Sequence, residues 1–137
     1  MKTIVLGYDG TEPAKRALER AAELAQAFGS KLIVTSVAPV LVGTGKTMGP
    51  IDPTDSPEDH LAELREAEAL LTGRSVAAEY VGAIGEPADT IVELAETRDA
   101  DLIVVGTREP NIVMRLLGQS VSDAVAHRAH CDVLIVH

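Results

Sequence analysis

Aromatic residues are nearly missing from this 137-residue chain: one phenylalanine, two tyrosines and no tryptophan, 2% in all. With 46% of residues hydrophobic, the core must then be built from Ala, Val, Leu and Ile, which suits helices packed on a buried sheet. Cysteine is equally scarce. The lone Cys131 excludes an internal disulfide, reads as a small buried hydrophobe rather than a reactive thiol, and suits a reducing, cytoplasmic setting. Basic charge is in short supply as well. A net charge of −9 argues against non-specific binding to nucleic acid or anionic membrane, both of which need a basic surface. No apolar run approaches membrane-spanning length, and the chain opens on a short strand-like run rather than a secretory signal.

At this length one domain over residues 1–137 is expected, burying roughly two thirds of the surface its unfolded chain exposes. The chain alternates strands with helices. Residues 3–6 form a first apolar run. Thr11-Glu12-Pro13 then supplies a cap hydroxyl, an acid and a first-turn proline for a helix reaching Phe28. Its apolar positions are Ala14, Ala17, Leu18, Ala21, Leu24, Ala25 and Phe28, with Gly29 as the stop. Residues 32–37 read as the second strand. The segment 38–57 holds four prolines and three glycines without an apolar period, so it reads as a long loop. Residues 58–71 form a charged helix, with Leu61, Leu64, Ala67, Ala69, Leu70 and Leu71 as its apolar positions. A strand over 76–81 follows, then a helix opened by Gly85-Glu86-Pro87, then strands at 102–105 and 133–136 around a last helix. This βαβαβαβαβ order implies right-handed crossovers and an open parallel sheet with helices on both faces.

Such sheets bind ligands beyond the carboxyl ends of their strands, near the point where strand order reverses. That rule draws Asp9 and Gly10 towards Gly106. From Gly106 the chain runs through an irregular loop to Ser120 and a helix start, where unpaired backbone N–H groups and the helix dipole stabilise an anion. The alternative for Ser120 is simple capping, since Ser120 and Asp123 have capping-box spacing. The alternative for Asp9 is an Asx turn opening the next segment.

The stretches MKTIVLGYDGTEPAKRAL, GEPADTIVELAE, DADLIVVGT and LLGQSVSDAVAHRAHCDVLIVH resemble the universal stress protein family across nearly the whole chain. The resemblance implies a five-stranded parallel α/β fold of Rossmann-like type, and a homodimer joined through the last strand. Many family members bind ATP through a pattern of Gly, two residues, Gly, nine residues, then Gly and Ser or Thr. Here Gly106 and Ser120 keep the two ends, while Glu109 and Gln119 replace the inner glycines and Gly118 lies one position early. By resemblance, Asp9 meets the ribose or a metal, Gly7 and Val37 line the adenine side, and Gly106, Ser120 and Val121 hold phosphates. Thr107 follows the first glycine, and charge adds Arg108 and Arg115 to the candidates. A carboxylate such as Glu109 about 4 Å from a phosphate repels it by up to about 4 kcal/mol at an effective dielectric near 20, unless an arginine or Mg2+ intervenes. The resulting expectation is weak or conditional binding of ATP or an AMP-like nucleotide in a stress-response role, with at most slow ATP hydrolysis. The alternative is a dimeric interaction module that has lost ATP binding.

Three other signals are set aside. Gly43-Thr44-Gly45-Lys46-Thr47 resembles the end of a P-loop, but Val40 stands where its first glycine belongs. His127 and His130, with His60 and His137, lack the spacing of a metal site and read as ordinary helix-end and surface histidines. No serine sits in a nucleophile elbow, and Glu79 is a weak candidate for a receiver-domain acid.

Overall fold

Ile4, Val5 and Leu6 are all fully buried, which requires a strand covered on both faces. They lie in β1 (Thr3–Gly7), the middle strand of a computed structural model that describes residues 1–38, 57–107 and 121–137. The described elements continue as α1 (Glu12–Phe28), β2 (Lys31–Ala38), α2 (Pro57–Leu71), β3 (Ala77–Ile84), α3 (Pro87–Thr97), β4 (Leu102–Gly106), α4 (Val121–Arg128) and β5 (Asp132–Val136). The five described strands are parallel, in the order β3-β2-β1-β4-β5. The open parallel α/β sheet expected from the chain is therefore the one observed.

Strand alternation splits the core into two layers. Ile4, Leu6, Leu32, Val34, Leu102 and Val104 pack with α1 and α2; Val5, Ile33, Val37, Ile103 and Val105 pack with α3 and α4. Helix α1 begins as its sequence implies: Thr11 Oγ1 accepts the Ala14 N–H at 3.3 Å, and Gly29 ends the helix in the left-handed region at φ 65°. Its buried alanines, Ala14, Ala17, Ala21, Ala22 and Ala25, let the helix backbone lie close against the sheet. At the other end of the architecture, Arg98 grips Glu79 with two bonds of 2.6 and 2.9 Å while Lys31 approaches at 2.8 Å. Arg98 first and Lys31 second hold the Glu79 carboxyl down to about 2.

Several expected core positions are corrected. Phe28 is 58% exposed at the last residue of α1, where the chain is already turning through Gly29. Leu61 and Leu70 are 50% and 43% exposed, and Ala69 is exposed too. Helix α2 covers the β2–β3 edge with a narrow stripe of Leu64, Ala67 and Leu71, so its other apolar residues are covered in part or not at all. Strand β3 runs to Ile84 rather than Val81, because pairing with β2 continues through Ser36↔Gly82, Val37↔Ala83 and Ala38↔Ile84.

Candidate functional site

The chain builds β1, β2 and β3 outward in one direction, then crosses to the other side of β1 for β4 and β5. The reversal between β1 and β4 opens a crevice at their carboxyl ends. A cavity of about 260 Å³ lies there. Gly7, Tyr8 and Asp9 reach it from the end of β1, Thr35 and Val37 from β2, and Val105 and Gly106 from β4. His60 of α2 closes one side; Pro87 and Ile91 of α3 and Val121 and Ser122 of α4 close the other.

Five of the residues singled out from the sequence thus share one cavity: Gly7, Asp9, Val37, Gly106 and Val121. Thr107 sits beside it, with its backbone N–H donating to the Val136 carbonyl at 2.9 Å. That bond extends the β4–β5 ladder and occupies the donor a phosphate would need. Arg108, Arg115, Gly118 and Ser120 lie outside the described residues, as do Glu109, Gln119 and the Lys46 loop.

Two of the expected residues have structural work as well. Asp9 Oδ1 accepts the Thr11 N–H at 3.1 Å and the Thr11 hydroxyl at 2.6 Å, the Asx turn that was the alternative for this residue. It thereby fixes the cap of α1. A Cβ on Gly106 would lie 2.5 Å from the Pro13 carbonyl carbon and 2.8 Å from the Ala14 nitrogen. Gly106 therefore lets the first turn of α1 rest directly on β4. At Gly7 the nearest obstacle is only the end of the Ile91 side chain, at 2.8 Å.

The sequence reading missed the polar face of α2. Tyr8, almost fully buried, donates its hydroxyl to the Glu66 carboxylate. Burial first, and then this bond to Glu66, push the phenol above its usual range, so Tyr8 is a neutral donor. Ser36, fully within β2, donates to Glu63 Oε2 at 2.6 Å, and His60 Nδ1 lies 2.7 Å from Ser36 Oγ and 3.0 Å from the same carboxylate oxygen. The His60 side chain is only 12% exposed, which corrects its reading as a surface histidine. No sequence period marks this cluster, because it depends on how α2 lands on β2. Ser122, also buried in the wall, stands two residues beyond the expected Ser120.

The remaining histidines and the cysteine behave more plainly. His130 is 80% exposed and pairs with Glu96 at 2.5 Å. Burial, ahead of nearby Asp132 and Asp101, raises the Cys131 thiol and leaves it a poor nucleophile. Among the described residues no group of three or more His, Cys, Asp and Glu side chains is placed to hold a metal ion. Among them too, no helix is long and apolar enough to cross a membrane.

The sequence and the fold match known proteins. Universal stress protein Rv1636 of Mycobacterium tuberculosis is 35% identical, over 99% of this chain and 96% of its own length. A universal stress protein crystallised in complex with cAMP superposes with a TM-score of 0.78 at 34% identity, covering 99% of this chain and 97% of its own. The universal stress protein of Archaeoglobus fulgidus in complex with dAMP gives a TM-score of 0.70 at 26% identity, covering 100% and 98%. The sequence model of the universal stress protein family matches residues 1–137, and the chain belongs to that family.

Proposed function

We propose that this protein is a single universal stress domain that binds an adenine nucleotide, ATP or an AMP-like form, weakly or conditionally, and acts in a stress response with little or no catalysis. The observation that carries this reading is the convergence of Gly7, Asp9, Val37, Gly106 and Val121 on one crevice at the strand reversal. Its walls suit the ligand: Val37, Ile91 and Val105 offer apolar surface for a base, Asp9 an acceptor for a ribose hydroxyl, and the start of α4 at Val121 a place for phosphate. Two structural relatives hold cAMP and dAMP, which supports the same ligand class here. Mg2+ bound with a nucleotide takes one or two carboxylates beside the phosphate oxygens, and Asp9 is the carboxylate that the crevice offers among the described residues. Asp9, the base for hydrolysis that the sequence offers among the described residues, already accepts two bonds from Thr11.

Thermal unfolding with millimolar AMP, cAMP and ATP, with and without Mg2+, tests the proposal. For a ligand at about ten times its Kd the gain is about 1.4 kcal/mol, a rise of roughly 4–6 °C in midpoint. No shift with any of the three nucleotides would overturn it.

The second reading, a dimeric interaction module with a lapsed pocket, draws on the structural duties of Gly106 and Thr107 and on the sheet edge at β5. Strand β5 pairs with β4 alone among the described strands, and its residues from Val133 to Val136 stay half-buried. An open apolar edge of that kind favours pairing with a second copy, so a homodimer through β5 belongs to both readings. Light scattering should return the dimer mass of a 14.4 kDa chain; a monomer mass at micromolar concentration removes the dimer from both. The lone Cys131 and acidic surface fit a cytoplasmic protein without nucleic-acid or membrane partners.

A further inference from the structure

His60 Nε2 is the one buried side-chain polar atom among the described residues that lacks a hydrogen-bond partner. Such an atom is costly unless something completes it. The ring to which it belongs lines the crevice, and the tautomer of its neutral form follows from its neighbours. Ser36 gives its own proton to Glu63 Oε2, so its oxygen is left to accept; the carboxylate can only accept. Both groups facing Nδ1, at 2.7 and 3.0 Å, therefore require a proton on Nδ1. In the neutral imidazole that tautomer leaves Nε2 as a bare lone pair, an acceptor.

Position adds the second half of the argument. His60 is anchored to Ser36 on β2, while Gly106 and Val121 stand at β4 and the start of α4, with β1 between them. Neighbouring strands are about 4.8 Å apart, which separates the two ends of the crevice by roughly 10 Å. A nucleoside monophosphate spans such a distance. With its phosphate at the α4 end, its base lies at the β2 end beside His60.

We propose that His60 is a base-specificity residue, its Nε2 lone pair accepting the exocyclic 6-amino group of adenine while Ser36 and Glu63 hold the ring in the required tautomer. A base carrying a 6-keto group would set a carbonyl oxygen against the same lone pair and be rejected. This inference rests on the nucleotide reading above, but it fails separately.

Calorimetric titration with AMP and with purine riboside 5′-monophosphate, which lacks only the 6-amino group, tests it. Wild-type protein should bind AMP about five- to tenfold more tightly than the analogue, the worth of one net hydrogen bond. In His60→Ala and in the ring-retaining His60→Phe, that ratio should fall towards one. The ratio is read within each folded variant, so a general loss of stability does not imitate the result. AMP binding with no preference over the analogue, or a preference that survives both substitutions, overturns the role of His60 and leaves nucleotide binding standing. Binding of neither nucleotide to the wild type overturns both.

Discussion

Gly106→Ala is expected to lower the unfolding midpoint by about 10 °C, corresponding to a loss of about 2–3 kcal/mol from overpacking. The added methyl would meet the Pro13 carbonyl carbon at 2.5 Å, its oxygen at 2.6 Å and the Ala14 nitrogen at 2.8 Å. All three are backbone atoms in the first turn of α1, which is pinned by the Thr11 cap and by buried Pro13 and Ala14. Nothing there swings aside as a side chain would. Gly7→Ala is the control. Its methyl meets the end of Ile91 at 2.8 Å, a flexible group that relieves the contact by rotating, so a cost of about 1 kcal/mol is expected. Thermal melts followed by circular dichroism check both; a Gly106→Ala midpoint within about 2 °C of the parent would show that α1 does not depend on this glycine. The result matters for function too. Loss of nucleotide binding in a Gly106 variant reports the displaced helix as much as any phosphate contact.

Asp9→Ala should weaken AMP binding by more than tenfold and lower stability by about 1–2 kcal/mol, whereas Asp9→Asn should keep most of the stability. The alanine leaves both the Thr11 N–H and the Thr11 hydroxyl without their acceptor, at 3.1 and 2.6 Å in the parent, and so loosens the start of α1. Asparagine retains a carbonyl oxygen at Oδ1 for those two donors, removes the charge and turns the second oxygen into an amide donor. Its affinity for AMP then reports what the carboxylate itself does to the ligand. Parallel calorimetry and thermal melts on the two variants separate the roles. Unchanged AMP affinity in Asp9→Ala would remove Asp9 from the binding site and leave it a turn residue.

Much of the fold is readable along the chain because its signals are local. Thr11, Pro13 and Gly29 bracket α1 within a few residues of each other, and the runs around Ile4, Ile33 and Ile103 are apolar on consecutive positions, as strands buried on both faces must be. The ends of elements are less legible where pairing rather than composition decides them. Strand β3 continues through Gly82 and Ala83, weak strand formers, because β2 offers partners as far as Ala38. Apolar spacing also overstates burial in α2: Leu61 and Leu70 match a helical stripe, yet the sheet edge is too narrow to cover them.

At the site, the division is sharper. Asp9 and Gly106 could be singled out from their places at the strand ends, since the crevice is a consequence of parallel topology, and Gly7, Val37 and Val121 from the family pattern. Tyr8, Ser36, His60 and Glu63 could not. His60 is one of four histidines with nothing in its neighbours to distinguish it, and it becomes a buried, tautomer-specific acceptor only when α2 settles on β2. The sequence by itself determined the family, the alternation of strand and helix, and several of the residues that line the crevice. Those depend on local periodicity and on chain direction. Only the tertiary structure decided that Asp9 and Gly106 also hold α1 in place, that Thr107 spends its N–H on β5, and that the His60 ring lines the crevice while its buried Nε2 lacks a partner. Each of these depends on contacts between segments far apart in the chain, whose distances no spacing along the sequence encodes.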